Sequence, residues 1–404
     1  IIIFSSLNLP ITLPPFLSII LMVASLSLCG NRVIFSYPKS LHFLSISLNK
    51  MLPYFSINYG NPSSAYFLGR RSKRAIEEAR EIVAQNIGAN HKEIYFTSCG
   101  SESDNLALKG IAYANKHRGK HIITSKIEHP AILSTCESLE RQGFNITYLN
   151  VDRNGIISLE ELENSIRVDT ILISIMFANN EIGTIQPIEK IGRIAKINNV
   201  YFHTDAVQAI GNVGIKVKEL GIDLLSMSAH KFYGPKGVGA LYVKEGVDFE
   251  RVQDGGHQEK GKRSGTENVA GIVGLAEAIK YSYKEFEHNN TKVLNLRNYF
   301  INKLKENFNG IKINGDIEKR LPGNINVSFP NVDGGQLLLQ LDEYGICASA
   351  GSACSTGSSK PSHVLTSIGL SREEASGTLR FTLGKENTKQ EVDYVINILK
   401  RIIE

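Results

Sequence analysis

Residues 171–178 read Ile-Leu-Ile-Ser-Ile-Met-Phe-Ala, a nearly unbroken apolar run that stops at Asn179-Asn180-Glu181. A strand this apolar has no face to give to water, so it belongs inside a sheet covered on both sides. Such a sheet needs crossover helices, and the chain supplies them in alternation. Residues 70–87 put Ala75, Ile76, Ala79, Ile82, Val83 and Ile87 on one helical face, which predicts an amphipathic helix. A second helix is expected over 102–117. Strands are expected at 94–97, 121–125, 146–150, 170–177, 201–204, 224–228 and 239–243. The pattern predicts a layered α/β architecture, and the Gly-x-Gly-x-x-Gly fingerprint of dinucleotide folds is lacking. Past residue 285 the texture changes. A long charged helix over 284–307, a strand at 325–330, a helix at 335–344, a strand at 378–383 and a terminal helix at 388–402 read as a smaller α+β unit. Within it, residues 346–359 are rich in Gly, Ser and Cys.

At 404 residues the chain has room for about two domains or more and for a large core that needs no cross-links. Its content, 42% hydrophobic and 21% charged, excludes collagen-like, disordered and disulfide-scaffold classes. Five thinly spread cysteines argue against a disulfide framework and for a reducing, cytoplasmic compartment. The net charge of +5 includes three basic and no acidic residues among the first 50, so no basic stripe remains and no nucleic-acid partner is expected. The first fifty residues stand apart. Leu9–Cys29 is apolar and uncharged, yet only Phe16–Cys29 runs without proline, short of the ~20 residues a spanning helix needs. No membrane partner is expected, although a signal-like stretch is a second reading. Residues 1–50 are taken as lying outside the catalytic fold, 51–285 as the large domain and 286–404 as the small one.

Several constellations could carry chemistry. Lys231 follows an apolar strand, where open α/β sheets bind ligands, and a lysine desolvated there becomes a nucleophile toward a carbonyl carbon. A lysine facing solvent in a glycine-rich turn is the plainer reading. Asp205 ends the strand YFHTD, suited to hold a heterocyclic nitrogen protonated or to cap a nearby helix. Gly100, Ser101, Glu102 and Ser103 join a strand to a helix, where backbone N–H groups can meet a phosphate; the same residue types also serve as caps. His129 and Asn180 follow strands at the same rim. Arg380, in an apolar strand, calls for an anion, either a carboxylate ligand or a buried salt-bridge partner. Cys354 lies among small residues, as a mobile thiol would, whereas Cys347 reads as structural. The C-x6-C spacing of that pair is poor for zinc.

These stretches together are recognisable. GNPSS (60–64), SCGSESDNLALKG (98–110), EHPAIL (128–133), NNEIGTIQPI (179–188), HTDAVQ (203–208), SMSAHKFYGPKGVGALYV (226–243), KRSGTENVAG (262–271), GSACS (351–355) and LRFTLG (379–384) occur in one order. In that order the chain resembles the pyridoxal-phosphate-dependent cysteine desulfurases of the nitrogen-fixation and iron–sulfur-assembly class. The resemblance implies a fold-type-I transferase: a large domain with a mixed, mainly parallel seven-stranded sheet, and a smaller α+β domain carrying the cysteine loop. It implies that Lys231 holds pyridoxal 5'-phosphate, that His129 stacks on its ring and handles protons, and that Asp205 partners the ring nitrogen. Gln208 and Asn180 would contact cofactor or substrate oxygens. Gly100, Ser101, Ser228 and His230 would form the phosphate cup, with Thr266 reaching in from the second subunit of a homodimer. Arg380 would clamp the carboxylate of L-cysteine, and Cys354 would take the sulfur and pass it to an iron–sulfur scaffold or other thiol acceptor. A transient iron–sulfur ligand at Cys354 is the one metal role implied. Ser101 stands where the family usually has threonine and Cys99 where it has glycine. The family's Asp-Asn-x-Ala-Thr-Thr-like segment does not precede Gly60, so an impaired homologue is an alternative reading, as are a selenocysteine lyase or an aminotransferase of the same class.

Overall fold

The computed structural model describes residues 45–350 and 361–403. In chain order the larger sheet and its helices comprise α1 (Ser45–Met51), α2 (Phe67–Ile87), β1 (Ile94–Thr97), α3 (Gly100–Asn115), β2 (His121–Ser125), α4 (Pro130–Glu140), β3 (Asn145–Leu149), α5 (Leu159–Ser165), β4 (Thr170–Ser174), α6 (Ile188–Ile197), β5 (Tyr201–Asp205), β6 (Leu224–Ser228), β7 (Gly239–Val243) and α7 (Val269–Lys284). After them come α8 (Phe286–Asn307), β8 (Lys312–Ile313), β9 (Asn324–Ser328), α9 (Gly334–Glu343), α10 (His363–Ser367), α11 (Arg372–Ser376), β10 (Thr378–Thr382) and α12 (Lys389–Ile403). No helix of the described residues is long and apolar enough to cross a membrane.

The seven-stranded sheet runs in the order β1-β7-β6-β5-β4-β2-β3. The strands from β6 across to β3 are parallel neighbours, while β7 lies antiparallel between β1 and β6. Alternation along each strand sends side chains to opposite faces. Ile123, Ile173, Leu225 and Tyr242 enter one core with α2, α6 and α7. Their neighbours Ile122, Leu172, Leu224 and Leu241 enter another core with α3 and α4. The result is three layers, helices on both faces of the sheet, as the apolar runs demand. The parallel strands and β1 all direct their carboxyl ends to one edge, which is where such sheets bind ligands.

Local chemistry sets the element ends. α2 buries Ala75, Ile76, Ala79, Val83 and Ile87 and stops at Gly88, whose φ of +71° lets its N–H turn back to the last carbonyls. β4 ends at Ser174, before the expected Phe177, where the Met176 N–H turns to the buried carboxyl group of Glu128 at 3.0 Å. α1 crosses the expected boundary at residue 50 and packs on α7, so closely that a Cβ on Gly274 would lie 2.5 Å from Met51 Sδ. α8 matches the helix expected over 284–307 except at its start, because α7 runs on to Lys284 and the chain breaks at Glu285. Beyond it a second core gathers Phe300, Val327, Leu341, Phe381 and Leu399 around the antiparallel sheet β10-β9-β8.

Candidate active site

A cavity of about 210 Å³ opens at the carboxyl edge of the large sheet. Its floor begins with Asp205, the last residue of β5. The carboxylate does cap a turn, its Oδ1 accepting from the Val207 N–H at 2.9 Å, but no helix starts there. Burial pushes its acidity down, with His129 and Lys231 pulling the other way. β6 ends at Ser228 and turns through Ala229–Phe232, which carries Lys231 into the cavity wall. Tyr233 closes that turn at φ +68°, a conformation that costs a non-glycine residue about 1 kcal/mol or more. Tyr233 is held in it by burial and by the Gly234 N–H donating to Ala229 at 2.9 Å.

α3 begins against this turn. A Cβ on Gly100 would lie 2.7 Å from Val207 Cγ2, so only glycine lets the helix start so close. Its first-turn N–H groups have no intrahelical acceptor, and they sit at the positive end of the helix dipole. Gly100 and Ser101 line the cavity there, opposite Ser228 and His230. Ser228 Oγ and His230 Nδ1 are 3.0 Å apart, and burial beside Lys231 and Lys236 pushes His230 down to about 4, so its ring is neutral. The four groups form a cradle of hydroxyls, imidazole and a helix N-terminus, which is an anion site.

His129 caps α4 with its side chain. Nδ1 accepts from the Ala131 N–H at 3.1 Å, which leaves the proton of the neutral ring on Nε2. Burial holds His129 below the ordinary histidine range, with Asp205 opposing. Asn180 reaches the cavity from a turn organised by its neighbour. Asn179 accepts from the Glu181 and Ile182 N–H groups and donates to the Ile127 carbonyl at 2.9 Å. Gln208 completes this wall. Arg380 comes from the other sheet: β10 presents it 6% exposed, with Nη1 donating to the Asn180 carbonyl at 2.7 Å.

Ten of the expected site residues therefore line one cavity, among them Lys231, His129, Asp205 and Arg380. Thr266 does not; it lies exposed on the loop before α7. Cys354 lies outside the described residues. The chain on either side of it is fixed to the cavity walls, however. Ser349 pairs with the Arg380 backbone, Ser362 Oγ donates to Glu181 at 2.6 Å, and His363 Nε2 contacts the Glu128 carbonyl at 3.0 Å. Sequence reasoning missed Asp104, which also lines the cavity. Its spacing of four from Gly100 was the available signal, since that puts both on one helical face.

Residues 45–395 match the model of the aminotransferase class-V family. The chain belongs to that family. Cysteine desulfurase IscS of Clostridium botulinum is 53% identical over 377 residues, covering 93% of this chain and 95% of that one. A solved NifS-like protein superposes with a TM-score of 0.87 at 40% identity, over 92% of this chain and 99% of its own. SspA in complex with cysteine superposes at 0.78 and 38% identity, over 88% and 100%.

This class-V aminotransferase homologue is a pyridoxal 5'-phosphate enzyme, and the cavity suits that cofactor at three points. The cradle of Gly100, Ser101, Ser228 and His230 offers the helix N-terminus and hydroxyls that suit a phosphate. Asp205, buried at the floor with its Oδ1 held by the Val207 N–H, offers the negative partner that a protonated ring nitrogen calls for. Lys231 brings to the same cavity an amine, the group an aldehyde carbon takes.

Proposed function

We propose that this protein is a cysteine desulfurase that converts L-cysteine to L-alanine and transfers the sulfur to Cys354 as a persulfide. The observation that carries the reading is the meeting of Arg380 with Lys231, Asp205 and His129 in one cavity, while Ser349 and Ser362 fix the flanks of the Cys354 segment to its walls. Arg380 binds the substrate carboxylate, its guanidinium already oriented by the Asn180 carbonyl. Lys231 would hold the cofactor through its side-chain amine, and the same amine would serve to carry the Cα proton. The cofactor supplies an electron sink for bonds broken at the substrate carbons. Asp205 keeps the ring nitrogen protonated so that the sink stays deep, and His129 Nε2 is the ring atom placed to exchange protons. The Cys354 thiolate attacks the substrate sulfur. A sulfur–sulfur bond forms, the carbon–sulfur bond breaks, and a proton replaces sulfur on the carbon that leaves in alanine.

The exposed position of Thr266 suits a contribution to the cofactor phosphate of a second subunit, so the working unit in this reading is a homodimer. The persulfide then passes to a thiol acceptor such as an iron–sulfur scaffold. Cys99, Cys136 and Cys347 are free thiols, which suits a reducing cytoplasm.

Cys354→Ala tests the reading. The variant is expected to keep its visible cofactor band and the response of that band to L-cysteine, but to lose alanine and sulfide production by about 10³-fold or more. Intact-mass measurement after cysteine addition should show one added sulfur atom on the wild type and none on the variant. Undiminished alanine release from the variant would remove Cys354 from the mechanism, and a keto-acid product would favour an aminotransferase.

A further inference from the structure

A second carboxyl group, beside Asp205, is used by no step above. Asp104 belongs to the beginning of α3 and is 1% exposed. One ligand atom of Asp104, His129 and Asp205 lies within 4.8 Å of the others. Oδ1 of Asp104 is sealed from solvent without a hydrogen-bond partner among the described residues, and it lies 3.7 Å from Nε2 of His203. Ser226 hydrogen-bonds the carboxyl group.

The surroundings decide its charge. Asp205 faces it from the end of β5, Glu128 from the residues before α4, and Cys99 from the head of α3. His203, on β5, supplies no compensating charge, because burial pushes it down to about 3 and keeps it neutral. A fully buried carboxylate oxygen with no donor and a second carboxylate nearby is far costlier than a protonated one. The neighbouring donors can be assigned. Ser174 Oγ lies 2.8 Å from His203 Nδ1, and His203 Nε2 lies 3.0 Å from Ser226 Oγ. With the Ser174 hydroxyl donating to Nδ1 and Nε2–H donating to Ser226, the Ser226 hydroxyl is left to donate to Asp104. One oxygen of Asp104 then accepts from Ser226, and Oδ1, which no donor among the described residues reaches, is the oxygen left for a proton.

We propose that Asp104 is a positioning residue that stands as a neutral carboxylic acid, so that Asp205 alone presents negative charge to the ring nitrogen of the cofactor. The inference rests on the reading of Asp205 as that nitrogen's partner. A second anion at Asp104 would compete with Asp205 for the same cation. An apolar side chain there would leave the Ser226 hydroxyl without its acceptor. A neutral acid avoids both.

The test uses apoprotein titrated with pyridoxal 5'-phosphate, for wild type, Asp104→Asn, Asp104→Ala and Asp205→Asn. Asp104→Asn is expected to bind the cofactor within about two-fold of wild type, because an amide keeps the shape, the acceptor and the lack of charge, whereas Asp104→Ala should bind about 10-fold more weakly. Infrared difference spectra of wild type minus Asp104→Asn should show the carbonyl stretch of a protonated carboxyl group. The difference is needed because Glu128, pushed up to about 8 by burial, contributes a band of its own. A 10-fold or greater change in affinity for Asp104→Asn, or no such band, would mean that Asp104 is ionised and would overturn the proposal. Wild-type affinity in Asp104→Ala would reduce Asp104 to filler and overturn it equally. If Asp104→Ala does not fold, the Asp104→Asn titration and the infrared band still decide. Should Asp205→Asn bind and absorb as wild type does, the reading of Asp205 fails, while the band still reports the proton on Asp104.

Discussion

Lys231→Ala is expected to abolish the visible band of lysine-bound cofactor and to lower kcat by about 10⁴-fold or more, since it removes the covalent holder and a proton carrier together. The reason lies in the turn. β6 delivers the chain to the cavity rim, the Ala229–Phe232 turn reverses it, and Tyr233 in its left-handed conformation fixes where the lysine points. Among the described residues no second lysine lines the cavity, and the nearby Lys236 is exposed. Absorbance of purified variant with added pyridoxal phosphate, beside an alanine assay, checks this. An unchanged band would remove Lys231 from its role. Partial recovery with a small added amine would support it, by supplying the missing base.

Asp205→Asn is expected to lower kcat by about 10²- to 10³-fold, the usual cost of losing a preorganised electrostatic partner. An amide oxygen can still accept from the Val207 N–H, so the turn after β5 survives and only the charge is lost. The thermal midpoint of the apoprotein should therefore stay close to wild type or rise, because the variant removes a buried charge and keeps the acceptor of the turn. Steady-state alanine production and a melting curve separate the two effects. A variant that melts far below wild type would show that Asp205 serves the fold rather than the chemistry.

Much of this arrangement is legible in the sequence where the signal is local. The strands at 94–97, 121–125, 224–228 and 239–243 fall where their apolar runs place them, since each is bounded by polar or small residues. Misreadings cluster where a distant residue intervenes. β4 stops early where Glu128, some fifty positions away in the chain, captures the Met176 N–H. α1 was hidden by the uncharged composition around it, and its partner Gly274 lies more than two hundred residues downstream. Asp104 reads locally as an acidic residue near a helix start, and only the sheet brings it to Asp205. Arg380 reads in the sequence as a ligand clamp or a salt-bridge partner; that its Nη1 meets the carbonyl of Asn180, 200 positions away, is something no spacing rule reveals.

The cap that His129 places on α4 ties acid sensitivity of the fold to acid sensitivity of the chemistry. One ring nitrogen serves architecture and the other faces the cavity, so a second proton has only Nδ1 to occupy, and there it evicts the Ala131 N–H from its acceptor. Burial first, and then Lys231 and His363, hold the folded ring below the ordinary histidine range, with Asp205 opposing. The stabilisation is therefore whole above that range and is drawn down as the pH falls through it, because the unfolded chain takes up the proton first. Hydrogen-exchange protection at the start of α4 and turnover should decline together on acidification, and an α4 terminus that stays protected while activity fades would uncouple them. Proton inventory and helix register are thus written into a single imidazole.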